Sequence, residues 1–143
     1  MKELSQERVN AIVVHCSATP PKLDVGVKEI RDRHTRECGW SDIGYHFVIR
    51  RDCTLEHGRS SKFQGAHVKG FNDCFVGSCV IGGVNKRGQE DSNFSFEQFQ
   101  TLVELIQLLK LQYPIESVLG HRDLDSKKVC PCFDVGALVT QQH

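Results

Sequence analysis

Four short apolar runs, separated by two longer helical patterns, constrain this chain more than any other feature. Ala11 to His15 (AIVVH) is unbroken and β-branched, which suits a buried strand. Tyr45 to Arg50 (YHFVIR) alternates Tyr45, Phe47 and Ile49 against His46, Val48 and Arg50, a strand periodicity. The following RDCTLEHG reads as a hairpin turn and a returning strand, with Cys53 where glycine is the easy choice. Cys74 to Gly83 (CFVGSCVIGG) suits a central strand, and Ser117 to Gly120 (SVLG) is a last short strand ending at His121.

The helical patterns are equally distinct. Pro20 and Pro21 punctuate a loop, after which Asp24 is expected to cap a helix carrying Val27, Ile30 and His34 on one face, closed by Gly39. A polar loop, NKRGQEDSN, leads to Ser95 and Gln98, a capping box. There the clearest helix opens: Phe99, Leu102, Val103, Ile106 and Leu109 recur at helical spacing until Pro114 stops it. Strands interspersed with helices imply an α/β domain with a mixed central β-sheet flanked by helices, its strand order left open.

With 143 residues, no internal repeat and no linker, residues 1–143 are expected to form a single domain with a real core. The 18 Lys+Arg balance 18 Asp+Glu, which argues against nucleic acid as a partner, since phosphate binding needs a cationic surplus. No stretch approaches the ~20 apolar residues of a membrane span. The N-terminal MKELSQERVN lacks the apolar run of a signal peptide, so the chain is expected to be cytoplasmic on synthesis. The seven cysteines are odd in number and carry no secretion signal, which favours reduced thiols over a disulfide framework. A thiolate binding a soft metal is then the leading chemical use of one of them.

His15 and His121 each stand at the end of a strand, where α/β sheets usually bind ligands. The segment HRDLDSKKVCPCF adds two lysines and two cysteines within a short stretch that lacks a helical apolar pattern. In an extended chain Lys128, Cys130 and Cys132 share one side, and a cation beside a thiol favours the thiolate that binds zinc. Spacing alone does not choose between the two cysteines. The zinc nucleobase deaminases are excluded, because His15-Cys16-Ser17 and Cys130-Pro131-Cys132 replace their H-x-E and P-C-x-x-C. A Cys–His hydrolase has no thiol here in a helix-opening position.

Taken in order, VVHCSATP, DVGVKEIRDRH, GWSDIGYHFVIRRD, GAHVKGFN, VIGG and GHRDL…KKVCPCFDV resemble the zinc-dependent N-acetylmuramoyl-L-alanine amidases. Within that family the chain is most similar to the small phage lysozymes of the amidase type, and more distantly to the animal peptidoglycan-recognition proteins. The resemblance spans about residues 10–136. It implies one catalytic Zn2+ ion held by His15, His121 and Cys130, with Cys132 as the alternative thiol. Tyr45 then falls beside the metal, Lys128 is the catalytic lysine that stabilises the oxyanion, and His67 lines the substrate groove. Two imidazoles and one thiolate leave an open fourth position, the pattern of a catalytic zinc site. The implied reaction is hydrolysis of the amide between N-acetylmuramic acid and L-alanine in bacterial peptidoglycan, in a phage or prophage lysis enzyme.

Two departures from the family stand out: the loop between His121 and Lys128 is one residue longer than expected for phage relatives, and Arg33 replaces a frequent aromatic. The alternative function is a non-catalytic module on the same fold, binding peptidoglycan or regulating a polymerase. Relatives that bind without cutting typically lack the cysteine ligand, and His15, His121, Cys130, Tyr45 and Lys128 are all retained here. An RNA polymerase partner, bound by a phage amidase of this type, is supported by no local sequence feature. His34 and His46 are expected to be structural, and His57 and His143 to face solvent. Cys16, Cys38, Cys53, Cys74 and Cys79 are expected to be packing or surface thiols, with Cys16 the one beside the metal. No separate cell-wall-binding domain is expected, so wall specificity falls to the catalytic groove. Without a signal peptide, the enzyme is expected to reach the wall through a permeabilised membrane.

Overall fold

The structure, a computed structural model, describes residues 1–140. The first apolar run forms β1 (Ala11–Cys16), and the third forms β4 (Phe75–Val80). Both are buried along their whole length, as expected of strands covered on two faces. Around them lie β2 (Phe47–Ile49), β3 (Leu55–His57) and β5 (Ser117–Gly120). The sheet order is β3-β2-β4-β1-β5. β1 runs parallel to β4 and β5, β2 runs parallel to β4, and only the hairpin partner β3 is antiparallel. The mixed α/β sheet expected from the sequence is the observed architecture.

Helices cover the two faces. α1 spans Val27–Arg36 and α2 spans Phe96–Gln112. One face of the sheet (Ile12, Val14, Phe47, Ile49, Val76 and Val80) packs on Leu102, Leu105, Ile106 and Leu109 of α2. Each such aliphatic side chain contributes roughly 1.5–3 kcal/mol on burial. The opposite face gathers Val48, Cys79 and Ile81 with Val25, Val27 and Ile43, against which Ile30 and Tyr45 pack. Strand alternation therefore turns His15, Gly77 and Cys79 toward the α1 side.

The capping box forms as expected: the Gln98 N–H donates to Ser95 Oγ at 3.1 Å, and the Ser95 N–H donates to Gln98 Oε1 at 3.0 Å. The fully buried Gln98 amide also donates to the carbonyls of Arg50 (3.1 Å) and Ile81 (2.9 Å), tying the start of α2 to the ends of β2 and β4. Cys53 sits at φ 68 in the β2–β3 turn, the left-handed conformation that glycine adopts most easily.

Several local expectations are corrected. α1 is capped at Gly26 rather than Asp24. The Gly26 N–H donates to Glu29 Oε1 (2.8 Å) and the Val27 N–H to Glu56 Oε1 (2.9 Å), while Asp24 pairs with Arg50. β2 begins only at Phe47, and its three residues are all buried, so the YHFVIR alternation does not separate core from solvent. Two short helices follow β5: α3 (His121–Leu124), in the segment that lacks a helical apolar pattern, and α4 (Val135–Thr140) beyond it. α3 is a single turn, and its Asp123 carboxylate accepts the Gly120 N–H at 2.8 Å. It needs no amphipathic pattern to form. All seven cysteines are free, and among the described residues no helix is long and apolar enough to cross a membrane. His143 lies outside the described residues.

Candidate metal centre

Parallel pairing brings the two strand-end histidines together. β1 and β5 align Val14 with Gly120, so His15 and His121 both follow at the same edge, their rings 4.7 Å apart. Cys130 reaches them from the next loop, held by backbone bonds. The Arg122 N–H donates to the Cys130 carbonyl at 2.7 Å, and the Lys128 N–H donates to the Asp125 carbonyl at 3.0 Å. The Cys16 N–H, at the end of β1, donates to Cys130 Sγ at 3.1 Å. One donor atom from each of His15, His121 and Cys130 lies within 4.8 Å of the others, the one such group among the described residues.

Burial sets the ionisation of these rings. His15 is held well below the ordinary imidazole range by burial, and then by His67 and His121. His121 is lowered too, first by burial and then by the Lys128 charge. Both rings are therefore neutral near pH 7 and offer lone pairs to a metal. The donor set fits zinc: two imidazoles and a thiol, with room for a fourth group.

Cys132 takes a different course. The Cys132 N–H donates to the Val129 carbonyl at 2.8 Å, and its backbone sits at φ 73, so the segment is a tight turn. The alternation expected of an extended tail does not apply. The Cys132 thiol donates to the Gly83 carbonyl at 3.5 Å and is pushed up to about 11, chiefly by burial. Cys16 is also held protonated, by its hydrogen bond with Cys130 and then by burial. It sits beside the cluster, as the sequence suggested.

Tyr45 is half-buried, its ring 5.1 Å from that of His15. Burial pushes its phenol well above 10, and Cys79, Cys130 and Cys16 push the same way. It keeps its proton. Tyr45 also lines a cleft of about 350 Å³ with Ser17, Thr19, Ile30, Arg33 and His34. A larger hollow of about 860 Å³ lies across α1, away from the cluster. Lys128 is exposed, on the loop between His121 and Cys130.

His67 is only 9% exposed and packs against His15, with its Nδ1 3.0 Å from His15 Nε2. Gly77 of β4 and Gly65 leave the space it fills. A glycine inside a buried strand was the sequence signal for such a close approach. His46 is structural: its Nε2 donates to the Phe63 carbonyl (2.8 Å), and its Nδ1 accepts the Gly77 N–H (3.1 Å). His34 accepts the Gly44 N–H at 2.9 Å while also lining the cleft, and His57 is exposed.

The family model of the N-acetylmuramoyl-L-alanine amidases matches residues 5–133. The chain belongs to this family. Its activity is that of an amide hydrolase acting on peptidoglycan. The amidase is 44% identical to the endolysin of Klebsiella phage KP32 over 96% of this chain and 94% of that one. Among solved structures, the endolysin amidase LysCS from Clostridium intestinale URNW gives a TM-score of 0.82 at 26% identity, covering 99% of this chain and 88% of its own. The peptidoglycan recognition protein PGRP-SA of Apis mellifera shares the fold, with a TM-score of 0.79 at 20% identity over 98% of this chain and 86% of its own.

Proposed function

We propose that the amidase depends on one zinc ion held by His15, His121 and Cys130, and that it opens the bond between the lactyl group of N-acetylmuramic acid and L-alanine. The observation that carries this reading is the convergence of three donors, from three separate segments, to within 4.8 Å. A zinc ion held there supplies Lewis-acid chemistry, lowering the pKa of water and polarising the scissile carbonyl. The cleft beside Tyr45 is sized for a peptide stem. Tyr45 keeps its proton and acts by donating a hydrogen bond to the reacting groups, since a phenol pushed above 10 is a poor free base. Lys128 brings a cation from an exposed loop to the oxygen on which charge develops. The endolysin names of the phage relatives support a role in lysis, with the wall reached after the membrane is permeabilised.

The test joins metal analysis to wall digestion. The purified protein is expected to carry about one zinc per chain and to release new L-alanine amino termini from cell walls. Cys130→Ala and chelation are each expected to abolish both properties, while Cys132→Ala leaves them intact. A Cys130→Ala variant that keeps its zinc and its rate overturns the ligand assignment.

A further inference from the structure

We infer that His67 is a positioning residue for His15: as a hydrogen-bond acceptor at Nδ1, it fixes the tautomer that leaves His15 Nδ1 free to bind the metal. The inference rests on the zinc reading above and adds a determinant of metal affinity to it.

The argument begins with one shared proton. His15 Nε2 and His67 Nδ1 are 3.0 Å apart inside the protein, so one nitrogen donates and the other accepts. If His67 donated, His15 would carry its own proton on Nδ1, and neither of its nitrogens could take a metal. If His15 donates from Nε2, its Nδ1 keeps a lone pair for the ion. Metal binding therefore selects the second arrangement, in which the His67 proton sits on Nε2. That nitrogen is buried without a hydrogen bond of good geometry, and the Phe75 backbone beside the ring is the acceptor available to it.

The slot is built around this ring. A Cβ at Gly77 would lie 2.7 Å from His67 Cγ and Nδ1, and one at Gly65 would lie 2.6 Å from Cδ2. The Asn72 side-chain oxygen accepts both the His67 N–H (3.1 Å) and the Val68 N–H (3.0 Å), pinning the backbone on the other side. A side chain serving only as filler would need neither the nitrogen-to-nitrogen contact nor a buried polar atom. Metal-bound histidines commonly bond a carboxylate or carbonyl through the second nitrogen, and here a neutral imidazole takes that place.

Three variants separate positioning from packing. His67→Phe fills the slot without an acceptor. His67→Asn puts an amide oxygen near the position of Nδ1. Gly77→Ala keeps the histidine but displaces its ring. Each is stripped of metal, checked for folding by circular dichroism, and titrated with zinc against a chromophoric chelator. The absorption of bound Co2+ serves as a signature of coordination. His67→Phe and Gly77→Ala are expected to weaken zinc binding about 10–100-fold and to alter the cobalt spectrum, while His67→Asn restores both. Unweakened zinc binding in a folded His67→Phe or Gly77→Ala variant overturns the inference. A wild-type protein that binds no zinc fails the metal reading itself, a result distinguishable from failure at His67 alone.

Discussion

Adding a single carbon at Gly77 tests the construction of the site. Gly77 is absent from the left-handed region of φ, so its backbone accommodates alanine, which gains roughly 0.5–1 kcal/mol over glycine in a strand interior. The obstacle is the new Cβ, 2.7 Å from Cγ and Nδ1 and 2.8 Å from Cδ2 of His67. Carbon atoms pack comfortably at about 3.5–4.0 Å, so the ring must retreat by about 1 Å. Movement away from β4 stretches the 3.0 Å contact with His15 beyond hydrogen-bond range. Overpacking costs about 1–3 kcal/mol, and the lost bond adds about 1 kcal/mol. Against the gain of alanine, the net destabilisation is about 1–3 kcal/mol. With an m-value of about 2 kcal/mol/M, the urea midpoint of the metal-free protein drops by roughly 0.5–1.5 M. The assay is urea unfolding followed by circular dichroism on metal-free samples of both proteins. An unchanged midpoint would refute the claim that the ring has no room to move.

Two further outcomes follow from buried groups. Gln98→Leu leaves the Ser95 N–H and the Arg50 and Ile81 carbonyls without their partner; at about 1–1.5 kcal/mol for each bond, stability falls by about 3–4.5 kcal/mol. A loss below about 1 kcal/mol in urea unfolding contradicts the keystone role of Gln98. The second outcome concerns pH. His15, His46 and His67 have folded pKa values lowered chiefly by burial. Below about 6.5 the unfolded chain binds the more protons, so stability is lost as pH falls through that value toward the folded pKa of His67 near 3. Between pH 7.5 and 5, where ordinary carboxylates stay charged, the urea midpoint of the metal-free protein is expected to fall. Equal midpoints would mean that these rings are not held neutral.

The sheet was legible because β1 and β4 are buried on both faces, which leaves Ala11–Cys16 and Phe75–Val80 without a charged residue. α2 was legible through its capping box and its apolar stripe. α1 was misread at its start because Asp24 looks like a cap, while the side chains that bond its first N–H groups, Glu29 and Glu56, act from three residues downstream and from another strand. Long-range partners of that kind leave no local signal. In the candidate site, the motifs singled out His15, His121 and Cys130, which meet in space. Spacing alone could not separate Cys130 from Cys132, because that depends on a tight turn, with Cys132 at φ 73.

On the proposed reading, binding by the cleft and cutting by the His15–His121–Cys130 cluster rest on different supports, and this makes the non-catalytic alternative testable. The cleft is framed by α1 and by Tyr45, which packs with Val48, Cys79 and Ile81 on the α1 side of the sheet. None of those supports involves Cys130, whose sulfur accepts the Cys16 N–H and whose carbonyl accepts the Arg122 N–H. Cys130→Ala removes the sulfur but leaves the carbonyl bond that holds the loop to α3. The cleft walls should therefore keep their shape. The variant is expected to sediment with purified cell walls within about threefold of the wild-type affinity while releasing no L-alanine termini, since a factor of three corresponds to less than about 1 kcal/mol. Binding lost together with cleavage would show that the metal centre also shapes the cleft, so that recognition and hydrolysis could not be uncoupled by removing one sulfur.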